Sequence, residues 1–192
     1  MLTKRLFADE DLVAYLKIDK ARLDASQAYR TECFYKVFSQ TVHSGEKQSD
    51  TLHWIYTHTS DGRGVVTPRD VLDLVARAKQ NQQDEFNASP AGESPWLIGP
   101  KAILHGLDAL SKRKRDTYLK AEFPHLWPSI EKFEGGKTEY DSSTLQELLG
   151  SGWEKIVSDL LSLGVLGKRG KEVTYVFPHL YRRGLSLSQG RA

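Results

Sequence analysis

The chain has 192 residues, 39% of them hydrophobic and 27% charged, with a formal net charge of +2. That length fits one large domain or two small ones, and the composition supports a packed core while excluding wholesale disorder and an all-over basic nucleic-acid coat. One cysteine, Cys33, excludes an internal disulfide framework or a thiolate metal cluster and points to a reducing cytoplasm. No stretch approaches the roughly 20 apolar residues of a membrane span. The opening, Met1 to Phe7, is followed by Asp9, Glu10 and Asp11 and lacks the apolar run of a signal peptide, so no membrane is expected among the partners.

The first half reads as helices. Asp9 to Ile18 is a short amphipathic stretch with Leu12, Val13, Tyr15 and Leu16 apolar. Ala21 to Gln40 continues in helical phase, with Leu23, Tyr29, Phe34, Val37 and Phe38 as expected core. Gly45 and its polar neighbours make a turn, and Ser49 or Asp50 can cap a helix carrying Leu52, Trp54, Ile55 and Tyr56. Ser60 to Gly64 is a glycine loop. Thr67-Pro68-Arg69-Asp70 then opens the clearest helix in the chain, with Thr67 as N-cap, Pro68 first and Asp70 acidic in the first turn. Its apolar face is Val71, Leu72, Val75 and Ala78, and helical character fades through Gln80 to Gln83.

Asn87 to Pro95 reads as a linker or long loop, followed by a helix over Pro100 to Leu119 with Ile103, Leu104, Leu107, Leu110 and Tyr118 apolar. A short helix over Phe123 to Phe133 ends at Gly135-Gly136. Thr138 to Asp141 is a candidate strand, and Ser142 or Ser143 caps a helix over 144–149. After a glycine turn, Trp153, Ile156, Val157, Leu160 and Leu161 line one face of a helix that stops at Gly164. Val165-Leu166 and Val173 to Phe177 read as two strands around a turn. That order is the order of a winged helix-turn-helix domain. The fold class is therefore mainly α, a helical bundle followed by a C-terminal winged helix-turn-helix with a small β-hairpin.

Catalytic and metal motifs are missing. His53 and His58 are five apart, which does not place them on one helical face, and His43, His105, His125 and His179 are scattered. Cys33, beside Phe34, reads as a buried structural thiol. Gly136-Lys137-Thr138 matches the end of a Walker A loop, but the position of its first glycine holds Glu131, and Glu134 would repel phosphate inside the cradle. We read it as the turn into the following strand, and expect no catalytic residue and no bound metal.

Arg69 stands out because a cation in the first turn opposes the helix dipole. A Thr-Pro-Arg-Asp helix start after a glycine loop resembles the sensor-two helix of AAA-type and STAND-type ATPases. The run Thr57 to Leu74, with Ala121-Glu122-Phe123-Pro124 and Phe177 to Leu185, is similar to the C-terminal lid and winged-helix region of bacterial P-loop ATPases associated with defence or DNA repair. The resemblance covers most of the chain from about Phe34. It implies a lid over 1–85, a linker and connecting helix over 86–120, and a winged-helix domain over 121–192. It also implies that Arg69 faces the nucleotide's terminal phosphate, offsetting charge that develops during phosphoryl transfer. The Walker A and B core of such ATPases is not in this sequence. ATP and Mg therefore enter only if an upstream core, or a protein partner, supplies them.

A second reading is a winged-helix DNA-binding regulator. Residues 134–164 carry six acids against two bases, which disfavours major-groove reading by the second helix of the motif. Residues 168–192 carry six bases against one acid, so Lys168, Arg169, Lys171, Arg182 and Arg183 are candidate phosphate contacts without sequence readout. Lys112-Arg113-Lys114-Arg115 is a further basic cluster, with a solvated helix face as the competing reading. A third reading is a protein-interaction domain without nucleotide, for which Trp96 is the candidate interface residue.

Overall fold

The computed structural model describes residues 2–45, 47–89, 95–170 and 173–192. The protein is mostly helical, with a small four-stranded sheet. It forms two compact units, each discontinuous in sequence: residues 1–55 with 71–106, and residues 56–70 with 107–192. The sequence reading draws continuous stretches with boundaries at 85 and 120. The observed division instead passes through the interiors of three long helices.

In the first unit, α1 (Leu2–Leu6), α2 (Glu10–Tyr15), α3 (Lys20–Ala25) and α4 (Gln27–Val37) follow one another. Asp9, Asp19 and Ser26 cap α2, α3 and α4, each accepting a first-turn amide through its side chain. Ser26 splits what the sequence presents as one helical stretch. The expected core residues Leu23, Tyr29, Phe34, Val37 and Phe38 are all buried, and the Phe34 and Phe38 rings stack at 4.4 Å. Tyr15, expected with the apolar set, is 72% exposed: α2 has only six residues and buries none of them.

α5 (Thr51–Thr59) begins in this unit, with Asp50 accepting the His53 amide at 2.9 Å. Asp50 also accepts from the Tyr35 hydroxyl, and burial with that carboxylate pushes Tyr35 up to about 12. α6 (Pro68–Ala88) runs more than a turn past the fade expected over Gln80 to Gln83, so Asn87 and Ala88 are helical. The Gln80 to Asp84 side-chain bond helps carry that polar stretch. Residues 90–94 of the expected linker lie outside the described residues. In α7 (Pro100–Arg113), Gly106 lets the helix approach α6, since a Cβ there would stand 2.6 Å from the Leu74 carbonyl oxygen.

The second unit holds the loop 60–66, the first turn of α6, the end of α7 and everything after it. α7 continues into a π-helical segment, Lys114–Lys120, and then come α8 (Trp127–Glu131) and β1 (Lys137–Tyr140). Helices α9 (Ser142–Leu149) and α10 (Trp153–Ser162) follow. Asp141, rather than Ser142 or Ser143, caps α9: its carboxylate accepts the Thr144 amide at 2.9 Å together with the Ser143 and Thr144 hydroxyls. β2 (Gly167–Arg169) and β3 (Thr174–Val176) form the hairpin.

The expected strand at Val165-Leu166 begins two residues later, because both amides bond back to the Leu160 carbonyl and both side chains are fully buried. α11 (His179–Arg182) and β4 (Ser188–Arg191) were not legible in the sequence. The sheet order is β2-β3-β1-β4, with β1 antiparallel to β3 and parallel to β4. Phe133, Tyr140 and Phe177 pack edge to face beneath it, with the Phe133 ring 5.1 Å from each of the others.

Candidate functional site

The site that the sequence singles out lies at the start of α6. Thr67 Oγ1 accepts the Asp70 amide at 3.2 Å, the N-cap bond that Thr-Pro-Arg-Asp forecasts. Asp70 and Arg69 then part company. Asp70 is 5% exposed and turns inward to Lys114, whose Nζ stands 2.9 Å from its carboxylate. Arg69 is exposed and makes no hydrogen bond or ion pair among the described residues. The two carboxylates nearest in sequence do not take it, since Asp70 pairs with Lys114 and Asp73 with Arg77.

The loop before Arg69 is built around Asp61. Its carboxylate accepts the backbone amides of Arg63 and Val65 at 2.9 Å and receives the Arg63 guanidinium at 2.8 and 3.0 Å. That pairing holds the Arg63 guanidinium above its ordinary pKa. Arg63 also donates to the Ser162 carbonyl at 2.9 Å, and the Gly62 amide to the Gly164 carbonyl at 2.6 Å. Beside this loop lies Tyr181, 2% exposed, with its phenol pushed up by burial and by the fields of Tyr118, Asp61 and Asp70. Neither Asp61 nor Arg63 is a candidate on the sequence alone, and Lys114 enters there only as a member of the basic cluster at 112–115. The signal that could have found them is the glycine pattern: Gly62, Gly164 and Gly167 are crowded, and each marks a close backbone approach.

The basic segment over residues 168–192 is largely committed to internal partners. Arg169 pairs with Glu139 at 2.6 Å. Arg182 donates to the Phe177 carbonyl at 2.7 Å and to the Gln189 side chain at 2.9 Å. Arg191 reaches Asp141 at 3.2 Å. Lys168 and Arg183 are exposed, and Lys171 lies outside the described residues. The cluster at 112–115 is no free basic face either: Lys112 pairs with Asp108, Lys114 with Asp70, and Arg115 with Asp116. The outer face of α10 offers Glu154, Lys155, Ser158 and Asp159, with Lys155 and Asp159 3.6 Å apart.

Trp96 is 36% exposed and lines an open groove of the first unit with Leu6, Leu12, Val75 and Phe86. His58 and His179, scattered in sequence, meet with ring centroids 4.0 Å apart and planes tilted by 36° in the second unit. Burial and then the Arg182 charge depress His179 to about 4. Gly136-Lys137-Thr138 leads into β1, and no group of three or more His, Cys, Asp or Glu that could hold a metal occurs among the described residues. Among the described residues no helix is long and apolar enough to cross a membrane. No family model, curated protein or solved structure matches the chain.

Proposed function

We propose that this chain is a non-catalytic module of a P-loop ATPase, a nucleotide-sensing lid joined to a regulatory winged helix, from a system of the defence or DNA-repair kind. The observation that carries the reading is the divergence at the α6 start. Asp70 anchors that turn from within, while Arg69 projects from it without a partner among the described residues. A cation held on a capped, anchored helix start is pre-organised to meet an anion, because little side-chain pairing must be broken first.

Support for a winged helix is the order helix, strand, helix, helix, hairpin together with strand order β2-β3-β1. β4 is an addition to that pattern. The acidic outer face of α10 and the internally paired wing arginines favour a relay role for this domain over DNA reading. The ATP, the Mg and the Walker motifs come from a core outside these 192 residues. On this reading the domain is cytoplasmic, and its partner is that core or a protein bound to it.

The test is the mass of the native polypeptide in its source cells, detected with an antibody raised against this chain. A product much larger than 21.7 kDa supports the module. A product of that mass, recovered without an ATPase partner, contradicts it.

A further inference from the structure

α10 ends at Ser162, and the last carbonyls of any helix lack intrahelical partners. The Asp159, Leu160 and Leu161 carbonyls are taken by the amides of residues 163–166, and the partner of the Ser162 carbonyl comes from a loop about a hundred residues earlier. The Arg63 guanidinium donates to the Ser162 carbonyl at 2.9 Å, and the Gly62 amide donates to the Gly164 carbonyl at 2.6 Å. A guanidinium at this end also complements the negative pole of the helix dipole. Asp61, whose side chain is 11% exposed, fixes the Arg63 fork from behind. The seat admits no side-chain bulk. A Cβ on Gly62 would overlap the Leu166 carbonyl. One on Gly164, where φ is +73°, would overlap the Asp61 carboxylate, and one on Gly167 would stand 2.7 Å from the Gly62 oxygen. Contacts this close are either seated or lost, with little room between.

We propose that Asp61, Gly62 and Arg63 form a detachable C-terminal cap on α10, so that the seating of the loop leading to Arg69 and the integrity of the α10–β2 corner are one equilibrium. The Arg63 side chain is 51% exposed, so the cap is open to competition from solvent or an anion. Asp61 and Arg63 are positioning residues in this scheme. The inference rests on the Arg69 reading only for what drives the cap; the coupling itself needs no nucleotide. By linkage it must run both ways.

The experiment is amide hydrogen exchange on the whole chain. Arg63→Ala should speed exchange at the Leu163 to Leu166 amides by roughly tenfold or more, the loss of one charge-assisted bond. Gly164→Ala, made on the other side, should speed exchange at the Arg63 and Val65 amides, whose acceptor is Asp61. Amides of β3 serve as the reference for global unfolding. If Gly164→Ala does not fold, Gly167→Ala, whose Cβ would stand 2.7 Å from the Gly62 oxygen, replaces it, with the same rise expected at the Arg63 and Val65 amides. Cross-responses in both directions support the cap. Exchange that changes only on the mutated side overturns it. Neither readout uses nucleotide, so this result and the fate of the Arg69 reading are separate.

Discussion

Lys114 Nζ lies 2.9 Å from the Asp70 carboxylate, and the two side chains are only 18% and 7% exposed. The pair ties the first turn of α6 to the π-helical segment, one residue from Arg69. Such a pair adds little net stability over apolar replacements, but removing one member strands the other. Lys114→Met should therefore destabilise the protein by about 3 kcal/mol, and Asp70→Asn combined with Lys114→Met by much less. Urea denaturation of the two variants checks this. Equal losses in the single and double variants would contradict it.

Gly106 sets the closest approach of α7 to α6 in the first unit. Gly106→Ala would drive a methyl group against the Leu74 carbonyl and Ala78. Overpacking of this kind costs about 1–3 kcal/mol, which outweighs the helix-propensity gain of alanine, about 1 kcal/mol. Thermal unfolding should show a lowered midpoint; a raised one would mean that the helices move apart freely.

His179 gives the protein a defined acid sensitivity. Its folded pKa of about 4 lies below the ordinary value of 6.5, so the unfolded chain binds more protons between those values. Its contribution is complete above pH 6.5 and is lost as pH falls towards 4. Asp141, also depressed by its hydroxyl and amide donors, acts only below the ordinary carboxylate range and so falls outside this window. The urea midpoint should decline from pH 6.5 to pH 4, and His179→Gln should flatten that decline. An unchanged slope in the variant would show that His179 is protonated in the folded state.

Much of the helical framework was legible because its signals are local. Thr67 and Pro68 announce the start of α6, and the spacing of Phe34, Val37 and Phe38 announces a buried face. Capping was misread where two polar residues competed: Asp141 holds the position because its carboxylate serves the Thr144 amide and the Ser143 and Thr144 hydroxyls at once. The candidate site was legible only at Arg69. What holds that turn in place comes from Lys114, and what seats the preceding loop comes from Ser162 and Gly164. Contacts across such separations leave no periodic trace in a sequence. The arginines over residues 168–192 show the same limit: composition counts their charge but not the carboxylates that take it.

Over residues 168–192, only Lys168 and Arg183 remain exposed without a carboxylate partner among the described residues. Binding to duplex DNA should then be weak, with log K falling against log salt at a slope of roughly 2. Lys168→Ala with Arg183→Ala should abolish what binding there is. A slope of about 5 or more would restore the DNA-regulator reading.

For Arg69 the direct measurement is ATP turnover by a polypeptide that joins an ATP-binding core to these 192 residues. Arg69→Ala should leave the stability within about 0.5 kcal/mol of the parent in urea denaturation, because the side chain is exposed and unpaired among the described residues. It should lower kcat on the order of a thousandfold, as loss of a phosphate-directed arginine does, with Arg69→Lys in between. Unchanged turnover in Arg69→Ala would contradict the nucleotide-sensing role.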